Sequence, residues 1–418
     1  MRLNVNLSVV IDLLDSFLSS PLPFDAVMAK FFRNNRGAGS RERREIAEFS
    51  FALFRSFEKV RFFTSDISAN FGRFYVLAFL KAEKGLSEEE ISEIFCGGCR
   101  SPEKLTDFER KFLKSINGET EFPEYVQLNC PLRITPLLKE SFPAEDFREE
   151  MLSLNQKAPI DLRVNTLKSS RDEVKRMLLE SGVPAEDCRY ALNGLRLPNG
   201  RVGRDHRVLI EGLAEIQDEG SQLAAEACDV SPGDVTIDFC AGAGGKTLAL
   251  AAAMCNKGRI FALDKNAARL ENAKIRLARA GANNVFCHPL TGKWIKRHRG
   301  CADTVLVDAP CSGIGTWRRN PDKRVKFTPE DLNELLSLQS EILETAAETV
   351  KDGGKLVYAT CSVLKAENED RAKKFLRDHP EFMPQKIRLR DLSGDFLKLT
   401  PRRHGTDGFF VAIFKRSG

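Results

Sequence analysis

No stretch of this sequence stays apolar over the roughly 20 residues that a membrane-spanning helix needs. Its start, Met1-Arg2-Leu3-Asn4-Val5, has neither a signal-peptide core nor a cleavage site. There is no internal repeat and no low-complexity segment, so the chain reads as neither a solenoid nor a biased polymer. Its 11 cysteines are odd in number and lack framework spacing, which points to reduced thiols in a cytoplasm. Cys96-Gly97-Gly98-Cys99 is a lone CxxC without a partner pair or a nearby His, which argues against a metal site. The net charge of +5 permits a nucleic-acid partner without requiring one. The expectation is a cytoplasmic monomer that uses neither membrane nor metal.

What is present is enough for more than one core. A chain of 418 residues divides into two or three domains. Its 42% hydrophobic and 29% charged content are those of a globular protein. Residues 1–125 read as all-α. Leu7, Val10, Ile11 and Leu14 share one helical face, and Val27, Met28, Phe31 and Phe32 another. Ser40 is the expected N-cap of a helix running through Ile46, Phe49 and Leu53. Asn117-Gly118 and Pro123 then break the pattern. Residues 126–210 mix periods, with strands at 160–164 and 195–197 and a helix at 170–179, as in a small α+β unit. Residues 211–418 alternate. Strands are expected at 235–239, 259–263, 285–287, 304–308, 355–359 and 409–414, and helices at 245–254, 266–280, 330–350 and 368–376. Repeated βα units imply an α/β fold with a parallel sheet covered on both faces.

Three features sit at the C-terminal tips of those strands, where open α/β sheets bind ligands. The first is a glycine-rich turn, DFCAGAGGKT (Asp238 to Thr247). It admits three ligands. A dinucleotide fingerprint needs a third glycine where Thr247 stands. A P-loop is suggested by Gly245-Lys246-Thr247 and by the strand Val305 to Asp308, but its first glycine falls on Cys240. S-adenosylmethionine suits a loop of Cys240, Ala241, Gly242, Ala243, Gly244, Gly245 and Lys246, whose glycines let backbone approach the cofactor. Asp264 then ends the next strand about 20 residues on, where a ribose ligand belongs.

The other two features are thiols: Cys311 in Asp308-Ala309-Pro310-Cys311, and Cys361 in Tyr358-Ala359-Thr360-Cys361-Ser362. Carbon 5 of a pyrimidine is a poor nucleophile. A thiolate adding to carbon 6 makes it enamine-like and able to attack a methyl sulfonium. The charge that enters the ring needs an acid near N3, which Asp308 can supply. Expelling the thiol afterwards can use a second thiol. A single cysteine would more plausibly be a small buried hydrophobe. Two at strand tips beyond a cofactor loop favour chemistry.

Those residues resemble the Nop/Sun family of RNA cytosine-5 methyltransferases. DAPCSGIGTWRRNPD (Asp308 to Asp322), YATCS, DFCAGAGGKT and HGTDGFFVA (His404 to Ala412) carry the resemblance. LRVNTLK (Leu162 to Lys168) and DEGSQLAA (Asp218 to Ala225) extend it. RGAGSRERREIAEFSFALFR (Arg36 to Arg55) is similar to the NusB-like domain of the bacterial Sun (Fmu) branch, which modifies small-subunit ribosomal RNA. The resemblance implies a Rossmann-like S-adenosylmethionine-dependent methyltransferase domain, preceded by a small α+β subdomain and an all-α NusB-like domain. It implies that Cys361 is the nucleophile, that Cys311 assists release, and that Asp308 contacts the base. Lys246 is implied to position base or cofactor. Without it the choice of attacking thiol stays open, since DNA enzymes of this chemistry attack from the Pro-Cys position. The chain departs from the family after its third strand. Cys287-His288-Pro289-Leu290-Thr291-Gly292 lacks the Asp that usually contacts adenine.

For RNA, Trp317 offers stacking while Arg318 and Arg319 offer phosphate contacts. Lys293, Lys296, Arg297, His298 and Arg299 form a second basic run, equally readable as a solvated face. The substrate base must be unpaired or flipped for Cys361 to reach it. Rival readings are the same chemistry on transfer RNA, a non-catalytic RNA-binding assembly factor, and a P-loop NTPase.

Overall fold

The computed structural model describes residues 5–35, 37–68, 71–98, 101–118, 120–198 and 201–418. Residues 1–4, Arg36 and Cys99 of the features above lie outside them. The chain forms two compact units. One holds Met1–Pro136, Ala144–Gln156 and Arg319–Phe327, and the other Leu137–Pro143, Lys157–Arg318 and Thr328–Gly418.

The first unit is helical. Helix Leu7–Leu18 buries Leu7, Val10, Leu13, Leu14 and Phe17, one face at helical spacing. Helix Phe24–Asn34 buries Phe24, Val27, Met28 and Phe32. Helix Ser40–Phe54 begins one residue earlier than expected, with Gly39 and not Ser40 at the N-cap. Phe17, Phe24 and Phe54 meet edge to face, with centroids 5.0–5.6 Å apart. Each such ring contributes about 1.5–3 kcal/mol when fully buried.

This unit does not stop at residue 125. It incorporates 319–327, which the sequence reading assigned to the last domain. Asp322 accepts the amide of Phe24 at 3.0 Å. Arg324, 1% exposed, donates to the Asn129 carbonyl at 3.0 Å and to Asn155 Oδ1 at 2.8 Å. Arg133 donates to the carbonyls of Arg324, Val325 and Phe327. A short segment held by buried polar bonds leaves no hydrophobic period to read.

The second unit holds two main sheets. Strands β1 (Ile160–Val164), β2 (Glu186–Asp187), β3 (Gly194–Leu197) and β4 (Ala214–Ile216) form an antiparallel sheet in the order β2-β3-β1-β4. Its last strand lies beyond the expected boundary at 210. Helix Arg171–Glu180 accompanies it, capped by Ser170. Asp161, Cys188 and Glu219 converge there, and Arg196 bridges the two carboxylates at 2.7 and 3.1 Å. That makes the group an ion-paired core.

The large sheet contains β5 (Val235–Asp238), β6 (Arg259–Asp264), β7 (Val285–Pro289), β8 (Ala302–Asp308), β9 (Val350–Thr360) and β10 (Phe382–Gln385). After a two-stranded hairpin, β11 (Ile387–Leu389) and β12 (Leu392–Gly394), it is completed by β13 (Phe396–Leu399) and β14 (Phe409–Arg416). The order is β10-β14-β9-β8-β5-β6-β7, with β13 also on β14. Strands β5 to β9 run parallel, while β10, β13 and β14 are antiparallel additions. The sheet is therefore mixed, not purely parallel. Helix Pro329–Ala347 ends earlier than expected, and Val350 already opens β9. From β5 the chain proceeds to β6 on one side and later to β8 on the other. The crevice outside the carboxyl ends at that reversal is where such sheets take ligands. Among the described residues, no helix is long and apolar enough to cross a membrane.

Candidate active site

The chain turns from β5 into helix Gly245–Ala253 through residues 239–244. Two glycines make the turn, with φ of +56° at Gly242 and +80° at Gly244. They serve different ends. A Cβ on Gly242 would meet nothing within 4 Å, so the backbone there stays open. A Cβ on Gly244 would press on Ala273 at 3.2 Å, so this glycine admits a neighbouring helix. A cleft of about 1120 Å³ opens over the turn, lined by Cys240, Ala241, Gly242, Ala243, Gly245 and Lys246. Gly244 is not part of its wall. Burial pushes the Cys240 thiol up, so it stays protonated.

Asp264 closes β6 on the same cleft and is 8% exposed. Its Oδ2 accepts the Gly242 amide at 2.9 Å and its Oδ1 the Asn266 amide at 2.7 Å. A carboxylate has about four lone-pair sites, so acceptor capacity remains for ligand hydroxyls. Asp238, to which the sequence reading gave no role, also lines the cleft. One of its oxygens accepts from Thr247 at 2.6 Å, and the other is buried without a partner. Burial pushes this carboxyl up to about 7, against the Thr247 hydrogen bond. After β7 the apolar Leu290 lines the cleft where the family's acid is missing, and its amide is taken by the Asp264 carbonyl at 3.1 Å.

Lys246 is 8% exposed, and its Nζ lies 2.6 Å from Asp308 Oδ2 at the tip of β8. Burial pulls this ammonium down. The Asp308 charge and hydrogen bond, helped by Cys361 and Asp238, outweigh it and leave Lys246 above the ordinary lysine value. Phe409 of β14 adds a ring face 5.4 Å from Nζ.

Strands β8 and β9 are parallel neighbours with Asp308 opposite Ala359, so the two cysteine loops leave the sheet side by side. Cys311 Sγ and Cys361 Sγ are 3.4 Å apart, with no disulfide between them. The hydrogen bond to Cys361 raises Cys311 well above the ordinary thiol range, and burial adds to it. Cys311 therefore keeps its proton. The Gly315 amide donates to the Cys361 carbonyl at 3.0 Å, and the Gly408 amide to the Gly315 carbonyl at 2.8 Å. A Cβ on Gly315 would stand 2.1 Å from the Gly408 oxygen, so only glycine fits. This contact explains why the HGTDG segment accompanies the two cysteine motifs.

The expected RNA contacts are corrected. Trp317, directly after the 3-10 turn Ile314–Thr316, is 1% exposed. Arg318 is 6% exposed and donates to Asp407 at 3.2 Å and to the Gly405 carbonyl at 3.1 Å. Neither offers its side chain to a nucleic acid. Arg319 is half-buried and belongs to the helical unit. Of the second basic run, Lys293, Lys296 and Arg297 are exposed. Arg299 pairs with Glu348 at 2.9 Å, and His298 stacks on Trp294 at 3.9 Å.

Residues 225–415 match the family described as 16S rRNA methyltransferase RsmB/F, and residues 134–202 match the ferredoxin-like domain of RsmF/B-like methyltransferases. The chain is 32% identical over 315 residues to a probable ribosomal RNA small subunit methyltransferase B of Synechocystis, spanning 73% of this chain and 70% of that protein. The solved structure of a protein designated PH0851 superposes with a TM-score of 0.77 at 26% identity, over 98% of both chains. A methyltransferase homolog protein from Pyrococcus horikoshii superposes with a TM-score of 0.61 at 28% identity, over 70% of this chain and 97% of its own. S-adenosylmethionine is the cofactor, and the cleft fits it. Asp264 has acceptor capacity for the ribose hydroxyls, Gly242 leaves backbone room, and the orphaned oxygen of Asp238 suits an N–H donor. With a relative matched over most of both lengths, and with the family model spanning the domain that carries both thiols, the chain belongs to the 16S rRNA methyltransferase RsmB/F family.

Proposed function

We propose that this chain methylates carbon 5 of a cytosine in small-subunit ribosomal RNA, through a covalent bond between Cys361 and carbon 6. The observation that carries the reading is the pair of reduced thiols 3.4 Å apart, with Lys246 and Asp308 on the neighbouring turn and strand tip. Bound S-adenosylmethionine supplies the electrophilic methyl group. The Cys361 thiol gives its proton to water, its sulfur forms the bond to carbon 6, and the carbon 5–carbon 6 π bond breaks, its electron pair moving toward carbon 5 and N3. Asp308 hydrogen-bonds the base edge, and the Lys246 ammonium offsets the charge that develops there. Once carbon 5 carries the methyl group, its proton passes to water. The freed pair restores the carbon 5–carbon 6 double bond, and the sulfur–carbon 6 bond breaks. Cys311, still protonated, donates a hydrogen bond to the departing thiolate. The family resemblance assigns Cys361 as the attacker, and a Cys311 thiol raised by its hydrogen bond to Cys361 and by burial supports that division of roles. The helical unit and the exposed Lys293, Lys296 and Arg297 are proposed to hold flanking RNA.

The two thiols can be separated by mutation. Cys361→Ala should be inactive with no adduct. Cys311→Ala should accumulate a protein–RNA adduct that survives denaturing electrophoresis, and the double variant should show none. Adduct with Cys361→Ala instead would make Cys311 the attacker. Intact methylation in both single variants would reduce the thiols to packing residues.

A further inference from the structure

Beneath the thiols lies a buried carboxylate that the reaction scheme does not use. Glu367 and Gln339 are both 0% exposed. Glu367 Oε1 accepts the Ser312 amide at 2.8 Å and Gln339 Nε2 at 3.0 Å. Its Oε2 accepts the Ser312 hydroxyl at 2.5 Å and the Ser362 hydroxyl. Gln339 also donates to the Pro310 carbonyl at 3.0 Å. The next residue, Asn368, donates to the Ser362 carbonyl at 3.0 Å and accepts from Thr360 at 2.6 Å. Pro310 and Ser312 flank Cys311, while Thr360 and Ser362 flank Cys361. The network therefore grips the chain on both sides of both cysteines.

Burying an acid among neutral donors is costly, and an apolar contact would hold two loops together more cheaply. What an apolar contact cannot do is fix distance and direction. A carboxylate accepting four charge-assisted hydrogen bonds, three from the two loops and one from Gln339, does both. We propose that Glu367 is a positioning residue, a clamp between the Cys311 and Cys361 loops that sets the spacing of the two sulfurs. The spacing matters because release, on the reading above, needs Cys311 within hydrogen-bond reach of the Cys361 sulfur. The catalytic consequence rests on that reading; the clamp itself does not.

The test compares Glu367→Ala with Glu367→Gln. Glutamine keeps an oxygen for the Ser312 amide and Gln339, and both serine hydroxyls can turn to accept from its amide. The first assay needs neither RNA nor cofactor. Diamide takes two electrons and two protons from the thiol pair, forming the Cys311–Cys361 disulfide and a hydrazine, and mass spectrometry follows the product. Glu367→Ala should form it about tenfold more slowly or worse, because small displacements of reacting atoms are heavily penalised. Glu367→Gln should stay near the wild-type rate. The second assay is turnover on RNA. Glu367→Ala should lose about a hundredfold in kcat and accumulate adduct, with S-adenosylmethionine affinity unchanged. An unchanged disulfide rate in Glu367→Ala overturns the clamp. If Cys311→Ala accumulates no adduct while Glu367→Ala still loses the disulfide, the clamp stands and the covalent reading falls. Should Glu367→Ala fail to fold, Ser362→Ala removes one strut and decides the question in the same oxidation assay.

Discussion

Asp264 Oδ2 holds the amide of Gly242 at 2.9 Å, so the acid that ends β6 also shapes the turn that follows β5. One side chain thus joins both walls of the cofactor cleft. Asp264→Ala should weaken S-adenosylmethionine binding by about 1.5–3 kcal/mol for each ribose hydrogen bond lost to a charged acceptor. RNA affinity should change far less. Calorimetry that finds cofactor affinity unchanged would remove Asp264 from the site.

Gly315 bonds both the Cys361 carbonyl and the Gly408 amide, so the two cysteine loops and the HGTDG segment meet there. Gly315→Ala forces a methyl group toward the Gly408 oxygen, at 2.1 Å if nothing moves. Overpacking of this kind costs about 1–3 kcal/mol. Thermal melting should fall accordingly, and diamide should close the Cys311–Cys361 disulfide more slowly. A variant that melts and oxidises like wild type would show that the contact is slack.

Arg318 is assigned a structural part, so its loss should appear in stability. Breaking a buried ion pair by removing one partner costs about 3–5 kcal/mol. Arg318→Ala should lower the unfolding midpoint strongly, while the folded fraction binds RNA with an unaltered salt slope. Normal melting together with a shallower salt slope would return Arg318 to the RNA surface.

Asp238 makes stability depend on pH in an unusual direction for a carboxylate. Its folded value of about 7 lies above the ordinary 3.8. The folded chain therefore binds the proton more tightly than the unfolded chain does. That contribution is complete below about pH 4 and is lost as pH rises through about 7. Asp238→Asn keeps an acceptor for Thr247 and removes the titration. Between pH 5 and pH 8 the melting temperature of the variant should decline less than that of wild type. Parallel declines would place the titration elsewhere.

How much of this was legible beforehand depended on the range of the forces involved. The runs Val305 to Val307 and Leu356 to Val357 identified β8 and β9, because strands buried on both faces must be apolar throughout. Glycine was legible at Gly242 and Gly244, because a positive φ restricts residue choice locally. From these followed the cleft, an acid on its wall at Asp264 and two thiols at strand tips. Tertiary structure alone decided which side chains those tips would share. Trp317 and Arg318 have the composition of an RNA-binding loop, yet Arg318 turns inward to an acid 89 residues further along the chain. The segment 319–327 joined the helical unit through single hydrogen bonds that carry no periodicity. Glu367 reads as one more charge at the start of a helix until the Ser312 and Ser362 loops close over it. Hydrophobic period reports that a residue is buried, whereas the fate of a polar residue depends on a partner that only the folded chain brings near.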